Sequence, residues 1–110
     1  MATHRAHPRA PLNVYINKIV GETLYMCRAA NISEEGIYVS KLLEPEVGRP
    51  DFGLEFVLPG NDEVLWARGK VVRRGRKREV DGTGVHFTVI PERYRRMIAD
   101  YVVRHETGHS

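Results

Sequence analysis

Apolar and polar residues alternate in short runs along most of the chain, then switch to a helical period near the C-terminus. Leu12, Val14 and Ile16 alternate with polar neighbours, the period of two that marks a half-buried strand. Gly21-Glu22 supplies a turn, and residues 23–30 form a second, apolar-rich strand. Residues 31–36 are a polar break with turn chemistry, followed by a short third strand over 37–40. A loop with two prolines and a glycine occupies 44–50. A fourth strand over 53–58 ends at Pro59-Gly60-Asn61-Asp62, whose residue types favour a turn. Residues 64–73 alternate through Val64, Trp66 and Val71, and residues 84–90 place Val85, Phe87 and Val89 on one face. Between these two strands, 75–78 reads as a basic hairpin tip. Pro91 then suits a first helical turn. Tyr94, Met97, Ile98, Tyr101 and Val102 recur at i, i+3, i+4, i+7 and i+8, which predicts one amphipathic helix from about 91 to about 104. Short strands separated by turn residues point to a small antiparallel barrel or sandwich.

A length of 110 residues suits one domain with a modest core. Hydrophobic residues at 42% and charged residues at 28% give the balance of a globular chain, not a disordered one. No apolar run approaches the ~20 residues of a membrane helix. The basic N-terminus has no apolar stretch behind it, so it is not a secretory signal, and the expected location is cytoplasmic. The single cysteine, Cys27, lies in the apolar run Leu24-Tyr25-Met26-Cys27 and is expected to be a buried small hydrophobe. The net charge of +3 is carried mostly by arginine, whose planar fork can hold phosphate or guanine bidentately. A solvated basic surface accounts equally well for the bulk charge.

Two local patterns carry candidate chemistry. Arg5 and Arg9 are spaced R-x-x-x-R in a Pro-containing arm over residues 1–11. Guanine offers O6 and N7 as adjacent acceptors that one guanidinium can satisfy, and its face can stack on a guanidinium plane. Taken alone, the pair is an ordinary basic tail. The second pattern, Asn31-Ile32-Ser33-Glu34-Glu35-Gly36, reads N-x-S-x-x-G between two strands. Asn and Ser at a turn offer short hydrogen bonds to a ligand or to the backbone, and Gly36 permits close approach or positive φ.

The two patterns in this order, followed by Trp66-Ala67-Arg68-Gly69-Lys70-Val71-Val72, by Gly84-Val85-His86-Phe87 and by a Pro-led helix, resemble the PilZ domain across essentially the whole chain. The resemblance implies a six-stranded antiparallel β-barrel with a C-terminal α-helix, spanning 12–104, with 105–110 a disordered tail. It implies a cyclic di-GMP receptor, not an enzyme, with no cofactor besides that ligand. Arg5 and Arg9 would grip guanine bases and phosphates. Asn31 and Ser33 would contact a guanine, and Gly36 would let the ligand lie against the barrel, with His4 and Gly69 as further candidates. His4 precedes the first arginine where many relatives that hold a stacked ligand dimer carry another arginine, so the stoichiometry stays open. The arm begins almost at Met1, so a stand-alone receptor working through a downstream protein is expected. An arm that orders only when a ligand neutralises its charge can act as a switch.

Other features carry less. The basic residues Arg68, Lys70, Arg73, Arg74, Arg76, Lys77 and Arg78 suit a solvated hairpin more than a nucleic-acid surface, since Trp66, the aromatic near them, is expected in the core. His105-Glu106-Thr107-Gly108-His109 spells the zinc-protease string H-E-x-x-H. Gly108 weakens the helix between the two histidines, chain ends fray, and no third ligand follows. No metal site is assigned. Two other functions stay open: a PilZ-fold adaptor in type IV pilus or motility control that binds no nucleotide, and a small basic nucleic-acid-binding barrel.

Overall fold

The structure is a computed structural model that describes residues 8–39, 51–74 and 83–105. Six strands, β1 (Ala10–Val20), β2 (Thr23–Ile32), β3 (Gly36–Val39), β4 (Phe52–Phe56), β5 (Leu65–Arg74) and β6 (Thr83–Val89), precede helix α1 (Glu92–His105). The strands close into an antiparallel barrel in the order β1-β2-β3-β6-β5-β4. Closure removes free sheet edges, which a short-stranded sheet would otherwise expose. The expected barrel and terminal helix are therefore present. The hairpin tip at 75–78, the loop at 44–50 and residues 106–110 lie outside the described residues. No described helix is long and apolar enough to cross a membrane.

Inward-facing residues of all six strands meet those of the helix in one core. Ile16, Cys27, Ile32, Ile37, Leu54, Leu65 and Val85 pack with Ile98, Tyr101 and Val102 of α1, while Tyr94 and Met97 lie half-buried against them. Each fully buried aliphatic side chain of this kind contributes about 1.5–3 kcal/mol. The helical face read from the spacing is thus the face that docks. Arg93 adds a bidentate pair with Glu63 just ahead of β5. The Tyr101 hydroxyl donates to the Pro11 carbonyl at 2.8 Å, which fixes α1 to the start of β1.

Two strands depart from the expected facing. In β5 the inward residues are Leu65, Ala67 and Gly69, whereas Trp66 faces outward, Val64 is exposed just ahead of the strand, and Val71, in register with Val85, is left partly exposed. Trp66 is 46% exposed and leans edge-on against Tyr94, with ring centroids 6.1 Å apart. It is not a core residue. In β6, Val85 and Phe87 are buried as expected, but Val89 is exposed because the β5–β6 register shifts between Arg68 and Gly69. In β1 the alternation continues inward through Lys18, which is buried with its ammonium 4.4 Å from the centre of the Phe52 ring.

Glycine is required where β6 is squeezed from both sides. A Cβ at Gly36 would sit 2.2 Å from the Val85 carbonyl oxygen. A Cβ at Gly69, across β6 on β5, would sit 2.7 Å from a Val85 methyl and 3.0 Å from the His86 carbonyl oxygen. Both positions let the neighbouring backbones close onto β6.

Gly36→Ala should therefore cost at least the ~1–3 kcal/mol typical of forced overpacking. Urea unfolding reads this directly, and an unchanged midpoint would contradict the close approach of β3 to β6. Burial also raises the Tyr101 hydroxyl pKa above its ordinary 10.0. The neutral form is the one favoured in the fold, so its stabilisation is complete below pH 10. It declines at higher pH, where the unfolded chain releases the proton first. Tyr101→Phe should lower stability by about 1 kcal/mol at neutral pH and flatten the loss above pH 10, as measured by denaturant unfolding across an alkaline series.

Candidate ligand-binding site

The N-x-S-x-x-G segment is built as a tight connection whose first part still belongs to a strand. Asn31 and Ile32 end β2, Gly36 begins β3, and Ser33, Glu34 and Glu35 form the corner. The Ser33 N–H donates to the Gly36 carbonyl at 2.9 Å, and the Gly36 N–H returns a longer bond of 3.4 Å to the Ser33 carbonyl. Two-residue hairpin turns usually need positive φ at one or both central residues. In the β1–β2 turn Gly21, at φ +64°, meets this need. Neither Glu34 nor Glu35 takes positive φ, so this corner depends on outside support. Ser33 Oγ accepts the Glu35 N–H at 3.2 Å. From β6 the Phe87 N–H donates to the Glu35 carbonyl at 2.8 Å. From α1, Arg95 Nη1 pairs with Glu34 Oε1 at 2.6 Å.

The arm meets this corner. Arg9 Nη1 donates to Asn31 Oδ1 at 2.7 Å, with the guanidinium exposed and Asn31 half-buried. That bond uses the Asn31 side-chain oxygen as its acceptor. Ser33 is 3% exposed, and its oxygen already accepts one backbone N–H, so its own O–H is the group left to donate. Gly36 lies in register with His86, and His86 with Lys70. Both of these side chains are exposed, His86 beside Gly36 and Lys70 one strand further on β5.

Among the residues singled out from the sequence, Arg9, Asn31, Ser33 and Gly36 come together. Arg5 and His4 lie outside the described residues. Gly69 sits on the far side of β6 from Gly36, where packing against Val85 accounts for a glycine. The basic stretch is partly neutralised, since Arg68 pairs with Asp51 at 2.9 Å. His105, the first residue of the zinc-like string, ends α1 and stacks on Tyr101 with ring centroids 4.4 Å apart. Among the described residues no group of three or more His, Cys, Asp or Glu side chains is placed to hold a metal ion. Sequence reasoning missed Arg95, whose partner Glu34 is 61 residues away. No local pattern carries that pairing.

Comparison with known proteins agrees with this architecture. The family model described as PilZ domain matches residues 3–104. None of the curated proteins matches the sequence. The fold is similar to that of the Bacillus subtilis inhibitor of motility, MotI/DgrA, with a TM-score of 0.74 and 16% identity over 93% of this chain. This chain spans 50% of that protein's length. It is also similar to the PilZ domain of CeSA from a cellulose-synthesizing bacterium, with a TM-score of 0.63, 16% identity, and coverage of 93% of this chain and 97% of that one. With the family model matching nearly the full length and the closed barrel in place, the chain belongs to the PilZ domain family, whose members are cyclic di-GMP receptors and adaptors, not enzymes.

Proposed function

We propose that this protein is a cytoplasmic receptor for cyclic di-GMP that carries the signal to a downstream protein. The observation that carries the reading is the 2.7 Å bond from Arg9 to Asn31. It joins the arm to the N-x-S-x-x-G corner, the two features that must share one ligand. Arg5 and Arg9 supply charge-assisted bonds to phosphate and to guanine O6 and N7. Asn31 and Ser33 donate to a guanine edge, and Gly36 holds the corner close against β6 beside them. Uptake of the dinucleotide exchanges the Arg9–Asn31 contact for contacts of both residues with the ligand. The arm then orders over the barrel, and its entropy cost falls due only on binding. Its new position is the signal. Structural likeness to an inhibitor of motility supports motility control as the output.

Isothermal titration of the protein with cyclic di-GMP should give a dissociation constant near micromolar, which is ~8 kcal/mol. Arg9→Ala should cost about 1.5–3 kcal/mol for each charge-assisted bond it loses. A protein acting through protein contacts alone would give no heat in this titration. A nucleic-acid-binding barrel would instead bind DNA or RNA with a steep dependence on salt. Asn31→Ala and Ser33→Ala should each weaken uptake while leaving the thermal midpoint within a few degrees, since a lost hydrogen bond is ~1 kcal/mol. Loss of binding together with loss of the cooperative transition would assign these residues to folding instead.

A further inference from the structure

The candidate corner contains an electrostatic conflict. Its central residues, Glu34 and Glu35, are both carboxylates, yet the proposed ligand is a dianion. Like charges at contact distance oppose binding. The conflict is answered from a distant element. Arg95, in the first turns of α1, places Nη1 2.6 Å from Glu34 Oε1 and turns its other edge to Glu92, with Nε 3.0 Å from Oε1 and Nη2 2.5 Å from Oε2. Glu92 holds the guanidinium in plane, and in return Arg95 keeps the Glu92 carboxyl below its ordinary range. Glu92 also sits where the helix dipole favours an anion. The fork is thus aimed at Glu34 by a partner three residues before it on its own helix. Glu34 is half-buried, and its ion pair with Arg95 draws its charge toward α1.

We propose that Arg95 is a positioning residue of the ligand site: it neutralises Glu34 and holds it toward α1, so that the corner can accept a dianionic dinucleotide. The proposal rests on the cyclic di-GMP reading above. It assigns a binding role to a residue outside both sequence motifs, acting through Glu34 and not on the ligand itself. It also explains how Glu34 is tolerated inside an anion-binding turn.

Titration calorimetry with cyclic di-GMP at low ionic strength, using the wild-type chain, Arg95→Gln, Glu34→Gln, the double variant and Arg95→Lys, tests this. Arg95→Gln should weaken binding about five- to tenfold, the scale of one poorly screened like charge at contact distance. That loss should shrink in ~0.5 M salt, where the Debye length falls to a few ångströms. Glu34→Gln alone should bind within about twofold of wild type, and the double variant should recover to the same level. Arg95→Lys, which keeps the charge without the fork, should lose less than Arg95→Gln. If the double variant binds as weakly as Arg95→Gln, Arg95 acts on the ligand or only on stability, and the proposal fails. An Arg95→Gln variant that binds like wild type also overturns it. Absence of binding by the wild-type chain would instead overturn the reading of the site, and this proposal with it.

Discussion

The close approach of β3 to β6 at Gly36 sets the geometry on which the rest depends. A single added carbon there would run into the Val85 carbonyl. Because the strands meet this closely, the Glu35 carbonyl comes within reach of the Phe87 N–H, and the corner between β2 and β3 is fastened to β6. The same approach brings Ile37 and Val85 into register and seats both in the core. Barrel closure and the shape of the candidate site are therefore one constraint. A glycine that could be read as making room for a ligand makes room first for a neighbouring strand.

The helix supplies the second constraint, and it acts on both halves of the site. Its apolar face fills the core through Ile98, Tyr101 and Val102. Its polar contacts are more selective. Tyr101 reaches Pro11, two residues beyond Arg9, and Arg95 reaches Glu34 inside the corner. Exposed ion pairs usually contribute little to stability. Their value here is geometric, because the arm and the corner are each referred to the same rigid element.

Much of this could be read in the sequence where one physical rule dominated. The helix obeyed its period because its apolar residues have one face to bury, and β1 obeyed period two for the same reason. β5 misled because its largest apolar residue, Trp66, stands on the outward face between charged neighbours. Trp66 points out and Val64, ahead of the strand, is exposed, whereas the inward positions, Leu65, Ala67 and Gly69, shrink toward the crowded contact with Val85. A narrow barrel needs small residues where strands are squeezed together, so hydrophobicity stops reporting burial there. Asn31, Ser33 and Gly36 were legible as a turn because turn chemistry is local, as when Ser33 Oγ accepts the N–H of Glu35 two residues on. Arg95 was not, because its meaning arises only when residue 95 is folded against residue 34.

That difference bears on how an anion site can be written into a short corner. The corner needs polar residues that cap its backbone, and it lacks the positive φ that would let glycine or asparagine hold it unaided. Glutamates at its centre place negative charge where the proposed anion would come. A cation within the corner would cure the charge and compete with the arm for the ligand. A cation on a separate element, already oriented by its own carboxylate partner, cures it without entering the ligand's space. Arg95 and Glu92 form that arrangement. On the proposed reading, the attraction for the ligand is thereby left to Arg5 and Arg9.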